Sequence, residues 1–191
     1  MRVILIGFMG VGKTSVGKKL AKKLNFDFID TDYEIEILAN KTIPDIFEQD
    51  GEKHFRKLES IILKKFIKKE DVVISTGGGI ITTKENYNIL KNEENVIFLD
   101  ASVETIISHL QNERNKRPLL KECENLNKKI EELLSTRYEK YRNVSDILID
   151  INGKNIGHIA SEILVIICSN FNKKSAIYFL FATKLKAALL S

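Results

Sequence analysis

The residues with the most definite chemistry stand near the start of the chain, where Gly7-Phe-Met-Gly-Val-Gly-Lys-Thr14 fits the pattern G-x-x-x-x-G-K-[ST]. In that pattern the backbone N–H groups of a glycine-rich loop wrap the phosphates of a nucleotide. The lysine reaches the β- and γ-phosphates, and the threonine hydroxyl ligands magnesium. Gly10, Val11, Gly12, Lys13, Thr14 and Ser15 are therefore the candidate nucleotide-binding residues. Such a loop has to join a strand to a helix. Arg2-Val-Ile-Leu-Ile6 is a short apolar run of the kind buried in parallel sheets, and Val16, Leu20 and Leu24 follow the loop at helical spacing.

Further chemistry-bearing residues sit where later strand signals end. Phe26-Asp-Phe-Ile29 reads as a second strand running into Asp30-Thr31-Asp32, and the C-terminal edge of an open α/β sheet is where ligands bind. Residues two apart in an extended segment share a side, so both aspartates are expected to face the ligand; the bland alternative is that one caps the helix starting at Tyr33, which does not exclude chemistry by the other. Asp71-Val-Val-Ile-Ser-Thr76 is a third strand, and the Gly77-Gly78-Gly79 that follows lets a ligand approach bare backbone; a plain flexible loop is the competing view. Between these strands a helix carries Phe55, Leu58, Ile62 and Phe66 on its core face, with Arg56 and Glu59 at i and i+3. Taken alone, that pair reads as a surface ion pair worth about 0.3 kcal/mol. Gln111 to Leu120 is polar and holds Arg114, Lys116 and Arg117, which reads as a mobile cationic lid over phosphates, with a solvated loop as the alternative.

The elements that must position these groups alternate along the chain. Asn95-Val-Ile-Phe-Leu99 supplies a fourth strand ending in Asp100, Asp146-Ile-Leu-Ile-Asp150 a fifth, and a last helix runs from about Ile156 to Cys168. Strand and helix in alternation mean an α/β fold with a parallel sheet. At 191 residues, 43% apolar and 29% charged, the chain suits one domain with a sizeable core. The net charge of +4 is spread over several helices with acids interleaved, which weighs against nucleic acid as a partner. Cys123 and Cys168 lie in no CxxC pattern, so a reducing, cytoplasmic setting is expected rather than a disulfide or a zinc site. The first residues enter a strand directly, leaving no room for a secretory signal. No apolar run approaches the roughly 20 residues that cross a bilayer, and no membrane partner is expected. Small size and the lack of an apolar surface stripe favour a monomer.

Taken together, the glycine loop, Asp30-Thr31-Asp32, Gly51 through Phe55-Arg56 to Glu59, Gly77-Gly78-Gly79, Arg117-Pro118-Leu119-Leu120 and Arg137 four positions before Tyr141 resemble the shikimate kinases, over about residues 1–170. The resemblance implies a three-layer α/β/α P-loop kinase fold, related to the nucleoside monophosphate kinases, with a five-stranded parallel sheet of order 2-3-1-4-5. It also implies transfer of the γ-phosphoryl group of ATP to the 3-hydroxyl of shikimate, on the way to chorismate and aromatic amino acids. Lys13, Asp32 and Arg117 become the expected catalytic residues, and Arg117 covers the transferring group as the lid, about residues 111–124, closes. Thr14 is expected to bind Mg²⁺ directly and Asp30 through water. Asp32, Arg56, Gly77, Gly78, Gly79 and Arg137 are expected to bind shikimate, Glu59 orienting Arg56. The substrate-binding helices span about residues 33–66, with Ile43, Phe47 and Phe55 as an apolar wall.

Two features depart from the family pattern. Many members carry an adenine-stacking arginine seven positions before the lid arginine. Here that position is Leu110, with Arg114 as a substitute in a different helical phase. Residues 171–191 run past the usual end of the family and read as an appended segment, with a short amphipathic docking helix as the alternative. Two other functions compete: a sister kinase acting on an acid such as gluconate, and a GTP-binding switch. The switch requires Asn-Lys-x-Asp, whereas the nearest match, Asn115-Lys-Arg-Pro118, ends in proline.

Overall fold

The computed structural model describes residues 1–110 and 125–170. Strands β1 (Arg2–Ile6), β2 (Asp27–Asp30), β3 (Val72–Ser75), β4 (Val96–Asp100) and β5 (Ile147–Asp150) form one sheet in the order β2-β3-β1-β4-β5, and every adjacent pair is parallel. The helices are α1 (Lys13–Leu24), α2 (Thr31–Ala39), α3 (Ile43–Gln49), α4 (Glu52–Phe66), α5 (Lys84–Lys91), α6 (Val103–Leu110), α7 (Leu126–Val144) and α8, residues 156–170. The expected class and strand order are both observed.

Strand periodicity accounts for the three layers. Val3, Leu5, Ile97 and Leu99 point to one face, where they join Val16 and Leu20 of α1, Ile106 and Leu110 of α6, and Ile159 and Ile163 of α8. Their neighbours Ile4, Ile6, Val96 and Phe98 point to the other, against Leu63 of α4, Leu90 of α5, and Tyr141 and Val144 of α7. A strand covered on both faces has no polar side to show, which is why these runs are continuously apolar. A smaller cluster, Ile35, Ile46, Phe55, Leu58 and Ile62, ties α2 and α3 to α4, with Ile43 and Phe47 partly buried against it.

The register places the functional turns side by side. Leu5 and Asp30 both pair with Ser75, so the segments leaving β1, β2 and β3 emerge together at one sheet edge. One sequence expectation fails here. Asp30 ends β2, but Asp32 already lies in the first turn of α2, which starts at Thr31 and not at Tyr33. The two aspartates therefore do not share a side through strand alternation. Surface apolarity also differs from expectation, since α2 exposes Tyr33, Ile37 and Leu38. Among the described residues, no helix is long and apolar enough to cross a membrane.

Candidate active site

The glycine loop turns because three of its residues take backbone angles that side chains resist. Gly7, Gly10 and Gly12 have φ of 142°, 83° and 80°. Gly12 precedes α1 without any side chain capping the helix, so the N–H groups of its first turn remain for an anion, where the helix dipole also favours negative charge. Lys13 is buried, and its ammonium donates to the Gly7 and Phe8 carbonyls at 2.8 Å each, which holds it inside the loop it serves. Val11, within the loop, has a buried side chain that packs in the core, leaving its backbone to serve the site.

Beside the loop, the Thr14 hydroxyl donates to Asp30 Oδ2 at 2.7 Å. Asp30 Oδ1 accepts from the N–H groups of Asp32 and Tyr33, so the same carboxylate caps α2. Capping and a position at the site thus fall on one residue, where the sequence offered them as alternatives. Gly10, Gly12, Lys13, Thr14 and Ser15 line a cavity of about 180 Å³ together with Asp30, Asp32, Ser75, Thr76 and Gly78. Hydroxyl and carboxylate at hydrogen-bond distance form a hard oxygen donor set of the kind Mg²⁺ takes.

A second cluster adjoins the first through Asp32 and the glycine turn. Arg56 is pinned on both sides, its Nη1 2.6 Å from Glu59 Oε2 and its Nη2 2.7 Å from Glu52 Oε1. Glu59 is fully buried, so the Arg-x-x-Glu pair is no surface feature. Desolvation raises the Glu59 carboxyl to about 7, against the pull of Arg56 and Arg137 and with Asp32 adding to the rise. The glycines are demanded by closeness. A Cβ at Gly77 would stand 2.6 Å from Asp32 Oδ1 and 2.7 Å from Glu59 Oε1, and one at Gly79 would fall within the Arg56 guanidinium. At Gly78 it would meet Met9 N of the nucleotide loop at 3.0 Å. The N–H of Gly77 donates to the buried Thr31 hydroxyl at 3.1 Å, which ties the turn to the start of α2.

Arg137 reaches the turn from α7. It is buried, its Nη1 lies 3.4 Å from the Gly78 carbonyl, and its guanidinium lies 5.9 Å from the centre of the Phe8 ring. Two arginines from different helices thus converge on adjacent glycines, one of which abuts Met9 of the nucleotide loop.

The family model described as shikimate kinase matches residues 9–168. The chain belongs to the shikimate kinase family. It is 40% identical over 169 residues to the shikimate kinase of Clostridium beijerinckii, covering 88% of this chain and 96% of that protein. To that of Persephonella marina it is 42% identical over 162 residues, covering 85% and 96%. The solved structure of shikimate kinase from Acinetobacter baumannii in complex with shikimate superposes with a TM-score of 0.84 at 38% identity, covering 88% of this chain and 93% of that one. The Aquifex aeolicus shikimate kinase gives 0.76 at 38% identity, covering 89% and 98%. Family membership makes the chain an enzyme of the shikimate pathway, a kinase with ATP as phosphoryl donor.

Of the expected site residues, the structure brings Gly10, Gly12, Lys13, Thr14, Ser15, Asp30, Asp32 and Gly78 to one cavity, with Arg56, Gly77, Gly79 and Arg137 beside it. Arg117 and Arg114 lie outside the described residues, as does the 171–191 segment. Leu110 is fully buried, packed where a Cβ on Gly10 would sit, so it forms part of the core beneath the loop. His109, which no sequence pattern marked, places Nδ1 2.8 Å from the Gly10 carbonyl.

Proposed function

We propose that this cavity performs the transfer of the ATP γ-phosphoryl group to the 3-hydroxyl of shikimate, with a nucleotide side and an acceptor side that meet at Asp32 and Gly78. The observation that carries the division is the approach of Arg56 and Arg137, from α4 and α7, to Gly79 and Gly78. A small ring bearing one carboxylate and several hydroxyls is matched by two guanidiniums for the carboxylate and by Asp32 with the glycine N–H groups for the hydroxyls.

Phosphoryl transfer depends on positioning and on stabilising charge. Lys13 and the amides from Gly10 to Ser15 hold the β- and γ-phosphates. Thr14 and Asp30 would hold Mg²⁺, which would neutralise phosphate charge. Asp32 orients the acceptor hydroxyl and takes its proton. Arg117 supplies positive charge to the transferring group from the lid. Ile43, Phe47 and Phe55 back the ring, the last two with centroids 4.8 Å apart. Residues 171–191 are read as appended to the catalytic domain, and deleting them should leave kcat/KM unchanged. We place the enzyme in the cytoplasm as a monomer without nucleic-acid or membrane partners. Sedimentation that showed a dimer through Tyr33, Ile37 and Leu38 would contradict the monomer.

ADP release measured with shikimate, gluconate or no acceptor tests the assignment. Turnover should require shikimate, and turnover on gluconate that ignores shikimate would overturn it.

A further inference from the structure

Tyr141 is the largest fully buried side chain among the described residues, and its hydroxyl donates to the carbonyl of Gly78. A buried phenol needs a partner for its O–H, yet nothing about the core requires that partner to be a backbone carbonyl of the acceptor site. The ring is fixed independently: it stacks on Phe98 of β4 with centroids 5.0 Å apart and planes 24° apart. The hydroxyl therefore has little freedom to follow the turn. The turn has to conform to the hydroxyl.

Gly78 is the point where that constraint matters. Its carbonyl accepts from both Tyr141 and Arg137 Nη1, the latter at 3.4 Å, and a Cβ on it would meet Met9 N at 3.0 Å. Arg137 and Tyr141 stand four residues apart, on one face of α7, and both donate to the same Gly78 carbonyl. A trans peptide is planar, with C=O and the next N–H pointing opposite ways. Holding the Gly78 carbonyl toward α7 thus aims the Gly79 N–H away from it, on the turn where Arg56 lies against Gly79.

We infer that Tyr141 is a positioning residue for the acceptor: its hydroxyl sets the Gly78–Gly79 peptide and the Arg137 guanidinium in the one arrangement that receives the carboxylate and hydroxyls of shikimate. This rests on the assignment of Arg137 and the glycine turn to the acceptor side. Tyr141 touches no reacting atom. Its effect falls on acceptor binding and leaves the nucleotide loop, held by Lys13, in place.

Steady-state kinetics of Tyr141→Phe, which keeps the ring and removes the hydroxyl, test this. The KM for shikimate should rise about 10-fold or more while the KM for ATP stays within about twofold. A purely structural hydroxyl would lower Tm and leave both KM values alone, and that result overturns the inference. So does an equal rise in both. Phe98→Leu removes the stacked ring and keeps the hydroxyl, and it should raise the shikimate KM about threefold with the ATP KM unchanged. If Tyr141→Phe does not fold, this variant decides, and an unchanged shikimate KM overturns the role. Arg137→Ala runs alongside. If it leaves the shikimate KM unchanged, the acceptor site itself is misassigned and the tyrosine's role falls with it. If it raises that KM and the tyrosine variant does not, only the tyrosine's role fails.

Discussion

Glu59 lies fully buried beneath Arg56, with Oε2 2.6 Å from the guanidinium and Oε1 without a hydrogen-bond partner among the described residues. Burial raises this carboxyl from an ordinary 4.5 to about 7. A raised carboxyl binds its proton more tightly in the folded chain than in the unfolded one. It therefore contributes stability that is complete below about pH 4.5 and is lost as pH climbs to about 7. Glu59→Gln removes this titration. The stability of the variant relative to the parent should rise by about 3 kcal/mol between those pH values, read from urea unfolding. Parallel pH profiles would show that Glu59 stays ionised across the range.

The glycine turn predicts a substitution with a directed effect. A Cβ on Gly79 would lie 2.5 Å from Cζ of Arg56, so Gly79→Ala displaces the guanidinium from the acceptor side. The KM for shikimate should increase more than about 10-fold, with ATP binding by equilibrium titration preserved. Equal shikimate affinity in the variant would mean that Arg56 does not contact the acceptor.

Arg117 is assigned to charge that develops during transfer. Arg117→Ala should lower kcat by about 10³-fold while nucleotide affinity changes far less, as single-turnover kinetics and nucleotide titration would show. A kcat near that of the parent removes Arg117 from catalysis.

The parts of this fold written in local periodicity were legible in the sequence. Val3 to Ile6 had to be a covered strand, and Gly7 to Thr14 had to turn it into α1, because apolar runs and glycine-lysine spacing act over a few residues. Strand limits shifted by a residue or so: β2 spans Asp27–Asp30 where Phe26–Ile29 was expected, since pairing with β3 sets the ends. Geometry that depends on distant partners was not legible. Arg-x-x-Glu is usually solvated, and only the packing of α4 under the glycine turn buries Glu59. Asp30 could be read as a cap or as a site residue; its two oxygens do both, and only the adjacency of Thr14 reveals it. Tyr141 carried no chemical signal beyond its spacing from Arg137, because its partner, Gly78, lies 63 positions away.

The division of the cavity between Asp30 and Asp32 is tested most directly by titrating Mg²⁺ and shikimate separately against the rates of Asp30→Asn and Asp32→Asn. Asp30, bonded to Thr14 at 2.7 Å, belongs to the metal side, so its variant should need more Mg²⁺ for half-maximal rate, with a smaller effect on shikimate. Asp32, facing Gly77, belongs to the acceptor side. Its variant should lose about 10²- to 10⁴-fold in kcat and bind shikimate more weakly, with its Mg²⁺ requirement and ATP binding retained. An Asp32→Asn enzyme that shifts the metal requirement and keeps its affinity for shikimate would contradict the division.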